Sequence, residues 1–378
     1  MHRSRLKIFI VMLFMGVSLF FLIEKNFLPG LTSKLSPAGS PDMLGQVVSL
    51  IKDDYVETPD PDRTMTGAFQ GLVGSLDPLS GYLDEATLAK YEGRSQEELQ
   101  DIGIVLYKRP GAFPVVIGIR EDSPAEQKGI KIGDFISNLD GRSTLMMSMT
   151  EANLVLKGRT DSSVTLKKLS SEDSQEITII RQPLSKEPFD YTESPSSSGI
   201  LRIQRFDPPL VNSLRDDLVT ALRSRNKSLI IDLRNCHEGD FEEARRFINI
   251  FLRSDNLGYF QGKEARKDFV AAPDKPLLET LPLVIWTNRA TIGPAEAAAA
   301  LLKKQRNAKI IGLRTPGLVA RQNLIRLEDG SGILLTSEIF HIDGETDFWE
   351  KGIEPDVNID GEDLSSEVYF KETQKLLS

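Results

Sequence analysis

The sequence predicts a multi-domain α/β protein. A mixed sheet with flanking helices forms the core, a small β-rich domain is inserted ahead of it, and a helical section precedes both. Three observations carry this expectation. Met43, Leu44, Val47, Val48, Ile51 and Tyr55 recur at helical spacing. From about Glu98 to Pro183, runs such as DIGIVLY and FPVVIGI alternate with glycine turns, as short strands do. From about Ser197 to Asp360, strand and helix patterns alternate through GILRIQRF, SLIIDLR, PLVIWT and AKIIGL, which argues for buried, partly parallel strands. The composition agrees: 378 residues, 40% hydrophobic and 27% charged, exclude collagenous, disordered and multi-span membrane classes.

The charge balance narrows the partners. There are 46 basic and 55 acidic residues, a net charge of −9, which argues against a general phosphate-binding surface, so no nucleic acid is expected. One cysteine excludes an internal disulfide and a thiolate zinc site. The three histidines, His2, His237 and His341, leave little for a metal cluster. No metal and no cofactor are expected.

At the amino end, His2, Arg3, Arg5 and Lys7 precede an uncharged run from Ile8 to Ile23, closed by Glu24 and Lys25. As a helix the run measures about 24 Å against a hydrocarbon core of roughly 30 Å, a gap that flanking residues and local thinning can cover. Small residues of a cleavage site are missing from Glu24 to Leu28, and the nearest small-x-small triplet, Ser36-Pro37-Ala38, contains a proline. Residues 1–27 are therefore expected as an uncleaved signal anchor, a single pass through the inner (cytoplasmic) membrane with the bulk extracytoplasmic, in the periplasm. A cleaved signal peptide and a buried core helix are the alternatives.

A Pro/Gly/Ser-containing linker (28–41) leads into a helical section (42–97). Its second helix runs from about Asp62 to Leu76, ending at Asp77-Pro78, and Asp84 reads as the cap of a third. The β-rich domain spans 98–184, the α/β core 185–360, and a terminal helix 361–378. Within the core, helices are expected over Pro209–Asn226, Phe241–Arg253 and Pro294–Arg306. In such sheets sites form where loops leave the carboxyl ends of strands, which singles out Asn235–Asp240 and Asn288–Gly293.

The β-rich domain resembles a PDZ domain through Ile102-Gly103-Ile104, Ser123-Pro124-Ala125, Gly129, Gly133-Asp134 and Asp140-Gly141. That resemblance implies binding of peptide or protein C-termini by strand addition, with Asp101, Ile102, Gly103 and Ile104 as the carboxylate-binding loop. The bland reading is a domain that only spaces its neighbours.

The whole order of parts resembles the carboxyl-terminal processing (tail-specific) serine proteases. The landmarks are Leu76-Asp77-Pro78, Tyr82-Leu83-Asp84, Leu229 to Asn235, Ala308 to Gly312, and Gly352-Ile353-Glu354-Pro355-Asp356. The resemblance implies a serine nucleophile and a lysine base, a pairing that works when a desolvated neutral lysine accepts the hydroxyl proton. Here the nucleophile segment reads Asn288-Arg289-Ala290-Thr291-Ile292-Gly293-Pro294-Ala295-Glu296, so Gly293 falls on the serine. The base turn reads Thr315-Pro316-Gly317-Leu318-Val319, so Leu318 falls on the lysine. Lys304 replaces an aspartate of the intervening helix, while Gln322 matches a family glutamine.

Both oxyanion donors implied by the resemblance are altered too. One is the N–H after the nucleophile, and Pro294 has none. The other belongs to a turn that here reads Cys236-His237-Glu238-Gly239, with a carboxylate where an oxyanion would sit. Loss of one donor costs about 2.7–4 kcal/mol of transition-state stabilisation.

Substitute chemistry is thin. Thr291 could stand in as a nucleophile but caps its turn more naturally. Cys236 beside His237 suggests a thiol–imidazole pair, although adjacent side chains usually point apart. Glu238, Asp240, Glu242 and Glu243 could hold a cation, but they suit a solvated helix start. The expected protein is thus a membrane-anchored, exported pseudoprotease that binds peptide or protein C-termini. The alternatives are an active serine-type endopeptidase with an unconventional site and a regulatory partner of an active family protease.

Overall fold

A computed structural model describes residues 41–93, 100–169, 174–183, 187–194, 198–215, 228–272, 276–345, 347–359 and 364–377. The expected anchor over 1–27 and most of the linker lie outside them. Among the described residues no helix is long and apolar enough to cross a membrane.

The chain divides into two units, Met1–Met65 and Thr66–Ser378. In the first, helix α1 (Pro41–Asp54) carries the expected apolar stripe, and Met43, Leu44, Val47 and Ile51 on it are exposed. Helix α2 (Pro61–Gly74) spans the division and starts where Asp60 Oδ1 accepts the amides of Asp62 (3.0 Å) and Arg63 (3.2 Å).

In the second unit, β1 (Gly81–Leu83) precedes α3 (Glu85–Glu92), whose cap Asp84 accepts the Thr87 amide at 2.7 Å. The section expected to be helical therefore contributes a strand. Three buried residues are too short a run to display a period of two, and β1 is held by distant pairing, Gly81 with Leu334 and Leu83 with Gly332.

The PDZ-like domain is a six-stranded antiparallel sheet. Its strands are β2 (Ile104–Tyr107), β3 (Val115–Ile119), β4 (Phe135–Leu139), β5 (Arg142–Ser143), β6 (Ser163–Leu169) and β7 (Ser174–Ile180). Helices α4 (Pro124–Gln127) and α5 (Met149–Leu156) complete it, capped by Ser123 and Ser148. The order β2-β3-β4-β6-β7 leaves β2 at an edge. Alternation along β2 and β3 divides their side chains. Ile104, Leu106 and Val116 enter the domain's own core, while Val105 and Ile117 join a cluster shared with the α/β core.

The α/β core begins with β8 (Phe189–Glu193), β9 (Ser198–Ile203), the short α6 (Leu210–Ser213), β10 (Ser228–Asp232) and α7 (Phe241–Phe251). Only the start of the helix expected over Pro209–Asn226 is described, since residues 216–227 lie outside. There follow β11 (Gly258–Gly262), β12 (Arg266–Phe269), β13 (Leu283–Thr287), α8 (Pro294–Arg306) and β14 (Lys309–Gly312). The chain closes with β15 (Ala320–Arg326), β16 (Gly332–His341), β17 (Val357–Asn358) and α9 (Ser366–Leu377).

The central sheet runs β17-β14-β13-β10-β9-β8, parallel except for β8. This is the mixed sheet the sequence predicts. Its inner strands are buried on both faces, which is why they read as continuous apolar runs. One face packs α7 and the alanine-rich α8. The other receives α9, where the Tyr369 hydroxyl donates to the Thr287 carbonyl at 2.9 Å and Trp286 Nε1 donates to Thr373 at 2.8 Å. A second sheet, β1-β16-β11-β12 with β15 beside β16, was not legible in the sequence.

Candidate functional site

The two loops singled out by topology do meet at the carboxyl ends of β10 and β13. Asn288 Nδ2 donates to Asn235 Oδ1 at 2.9 Å, and Asn288 Oδ1 accepts the Asn235 amide at 3.1 Å. The same oxygen accepts the Ala290 amide at 3.0 Å, so one asparagine organises both loops. In the sequence Asn288 stands only as the first residue of its loop, and its joining role is set by the fold.

Gly293 has φ 62° and ψ −119°, on a sharp strand-to-helix turn of the kind that presents a nucleophile. A Cβ placed there would meet only the Leu318 carbonyl oxygen, at 3.9 Å. Room for a side chain therefore persists, beside the turn expected to supply the base. Glycine relieves the strain that a positive φ imposes on any other residue. Pro294 is buried at the first position of α8, where its fixed φ suits helix initiation but it offers no donor.

Glu296 joins these pieces. Fully buried, it accepts the amides of Gly293 (3.3 Å), Gly317 (2.7 Å) and Leu318 (2.8 Å). Burial pushes its carboxyl up to about 7 against the pull of the Thr315 hydroxyl and these three amides. At the third helical position Glu296 supplies one half of a capping box, reaching back to the Gly293 amide, while Gly293 has no side chain to supply the other.

Leu318 is 1% exposed and packs with Val105, Ile117, Met149, Ala290 and Ile292. The base position is thus part of an apolar seam between PDZ-like domain and core. Around it the two are stitched by polar contacts. Asn235 Nδ2 donates to the Ile119 carbonyl at 3.0 Å, and Lys157 pairs with Glu238. A Cβ on Gly118 would come within 2.4 Å of Asn235 Oδ1 and 2.5 Å of Ala290 Cβ, so β3 approaches the loops as closely as only glycine permits. Burial raises the Glu238 carboxyl, but Lys157 and then His237 overcome this and bring it down to about 2. Glu238 is therefore a paired anion facing the PDZ-like domain.

The substitute chemistries do not assemble. Thr291 is fully buried, its hydroxyl donating to the Leu233 carbonyl (2.8 Å) and accepting the Asn288 amide (3.0 Å), which is the capping role. The Cys236 thiol is buried among apolar side chains and pushed well up by burial and the nearby carboxylates of Glu238, Asp207 and Asp232. His237 Nδ1 lies 3.0 Å from the Asn235 carbonyl. Of the acidic run, Asp240 caps α7 by accepting the Glu243 amide, Glu242 pairs with Arg245, and Glu243 pairs with Arg246. Among the described residues no group of three or more histidine, cysteine or acidic side chains could hold a metal ion.

Two further expected positions fall outside this centre. Lys304 pairs with Glu345 on a half-exposed face of α8. Gln322 Nε2 donates to the Leu79 carbonyl at 2.6 Å, tying β15 to the turn before β1.

In the PDZ-like loop, Asp101 Oδ1 accepts the amides of Ile102 (2.6 Å) and Gly103 (3.3 Å). Their carbonyls are held by the amides of Ala125 (3.0 Å) and Arg120 (2.8 Å) respectively. Ile104 opens β2.

Residues 197–359 match peptidase family S41, and residues 115–167 match the PDZ domain family. The chain is 27% identical over 378 residues to the carboxy-terminal processing protease CtpA of Bacillus subtilis (strain 168), covering 97% of this chain and 80% of that protein. To a probable CtpA-like serine protease of Staphylococcus aureus (strain N315) it is 26% identical, covering 83% of this chain and 64% of that relative's length. The solved structure of the photosystem II D1 C-terminal processing protease shares the fold. It gives a TM-score of 0.68 at 22% identity, over 84% of this chain and 86% of that one.

Proposed function

From the premise that this chain belongs to the carboxyl-terminal processing protease family, we propose that it is a catalytically inactive member, anchored in the inner membrane with its bulk in the periplasm, that binds polypeptide through its PDZ domain. The observation that carries inactivity is the state of position 318. A lysine base must reach the nucleophile, but here a leucine is sealed in the seam against Val105 and Ile117. Its neighbours agree: position 293 has no side chain, and position 294 has no N–H. Binding rests on β2, an edge strand beside α5 to which an extended segment can add by main-chain pairing. The anchor rests on the basic leader and the apolar run from Ile8 to Ile23.

The deciding experiment incubates the full chain with unfolded polypeptides and searches for fragments by mass spectrometry. No cleavage is expected. Reproducible fragments that vanish on mutating a single core residue would establish an endopeptidase with an unconventional site instead. Amino-terminal sequencing of membrane-pelleted protein tests the anchor: a chain beginning after Pro37 removes it.

A further inference from the structure

We propose that Asp101 is a resident ligand of the carboxylate-binding loop, so that the PDZ groove takes internal extended segments of polypeptide and refuses free carboxyl termini. This rests on the reading that the PDZ domain binds polypeptide, names the class of polypeptide bound, and departs from the peptide or protein C-termini that the sequence resemblance implies. Two consecutive amides, those of Ile102 and Gly103, converge on Asp101 Oδ1 at 2.6 and 3.3 Å. Successive N–H groups of this kind form a nest that holds one anionic oxygen. In a loop of this type, that anion is the terminal carboxylate of the bound peptide.

The loop cannot easily turn to offer these amides elsewhere. The Ile102 carbonyl accepts from Ala125 and the Gly103 carbonyl from Arg120. Asp101 itself is fixed by reciprocal main-chain bonds with Gln182, its amide donating at 3.4 Å and its carbonyl accepting at 3.1 Å. Gly103 has φ 88°, and a Cβ there would lie 2.3 Å from Ser123 Cβ, so the backbone is pressed against the start of α4.

The side chain of Asp101 is enclosed: it is 6% exposed, and the Arg181 guanidinium near it is buried as well. Arg181 donates to the Val155 and Leu156 carbonyls at the end of α5, at 2.7 and 2.9 Å. A peptide carboxylate entering the loop would meet a filled nest and a like charge. A segment without a terminal carboxylate can pair along β2 and leave Asp101 in place.

The test uses the full chain in detergent micelles and one labelled ten-residue apolar peptide, prepared with a free carboxyl end and with an amidated end. The wild type is expected to bind both forms with affinities within about threefold. Asp101→Ala should prefer the free form by about tenfold or more, because the nest is then vacant. Asp101→Asn keeps an acceptor of the same shape without the charge, so it should show a smaller preference for the free form. Asp101→Asn also decides the matter should the alanine variant lose its unfolding transition. A wild type that already prefers the free form by about tenfold overturns the proposal and leaves PDZ binding intact. A lack of preference in both variants also overturns it. If no variant binds either peptide, this inference and the binding reading fall together. Cleavage of the peptides with the expected preferences preserved removes only the inactivity.

Discussion

Glu296 Oε2 accepts the Leu318 amide at 2.8 Å, so the helix that starts at the nucleophile position and the turn that carries the base position form one unit. The same carboxylate holds Gly293 and Gly317. The framework of the two turns is thus held together around positions that carry glycine and leucine.

Glu296→Gln should destabilise the protein by about 1–3 kcal/mol, because one buried amide loses its oxygen partner. Urea unfolding measures this, and a loss below about 0.5 kcal/mol would contradict the joining role.

The same carboxyl sets a pH dependence. Its value rises from 4.5 in the unfolded chain to about 7 in the folded one. The folded state therefore keeps a proton that the unfolded chain has released. The associated stability is complete below 4.5 and is lost as pH climbs towards 7, by roughly 3 kcal/mol across the window. The glutamine variant should show a flatter profile over that range. Parallel profiles would sink the assignment.

Gly293→Ser with Leu318→Lys should stay inactive on an unfolded substrate and melt at lower temperature. Serine at φ 62° restores strain of about 1–3 kcal/mol, and the lysine must share a seam with Val105, Ile117 and Ile292. Recovery should further require Pro294→Ala and repair of the turn from Cys236 to Gly239, since groups of this kind work together. Turnover by the double variant alone, near that of an active relative, would show that the missing donor does not matter.

Lys157→Ala releases the cation that holds Glu238 at about 2. In the wild type this depressed carboxyl contributes stability above 4.5 that is lost as pH falls towards 2. The variant should lose less stability over that acid range. Because the pair is partly exposed, the neutral-pH cost should stay under about 1 kcal/mol. Faster limited proteolysis between the PDZ domain and the core is the second readout. Identical acid profiles would detach Glu238 from Lys157.

Tyr369→Phe removes the hydroxyl that donates to the Thr287 carbonyl, and a loss of about 1 kcal/mol is expected. An unchanged unfolding midpoint would mean that α9 docks by apolar contact alone.

The parts governed by local chemistry were legible. Helix α8 begins at Pro294 and ends at Arg306, the expected bounds, because Gly-Pro opens it and Asn307 closes it in a left-handed conformation. The central strands announce themselves as apolar runs because both faces are covered. Pairings between distant segments were not legible. Strand β1 is three residues long and gains its identity from β16. Lys157 is an ordinary helix-end lysine in the sequence, and only the fold sets it against Glu238, 81 positions away. For that reason Glu238 reads from sequence as a mere obstacle to an oxyanion and from structure as one half of a domain contact. Asp101 likewise reads as part of a binding loop, and only its hydrogen bonds show that its carboxylate already occupies two of the loop's amides.

The glycine at position 293 also sets the kind of cost that a substitution there would carry. A side chain would find open space beside the Leu318 carbonyl oxygen, 3.9 Å from its Cβ, but its backbone would have to hold a positive φ of 62°. The penalty is therefore conformational and not steric, and it would fall on small and large side chains alike.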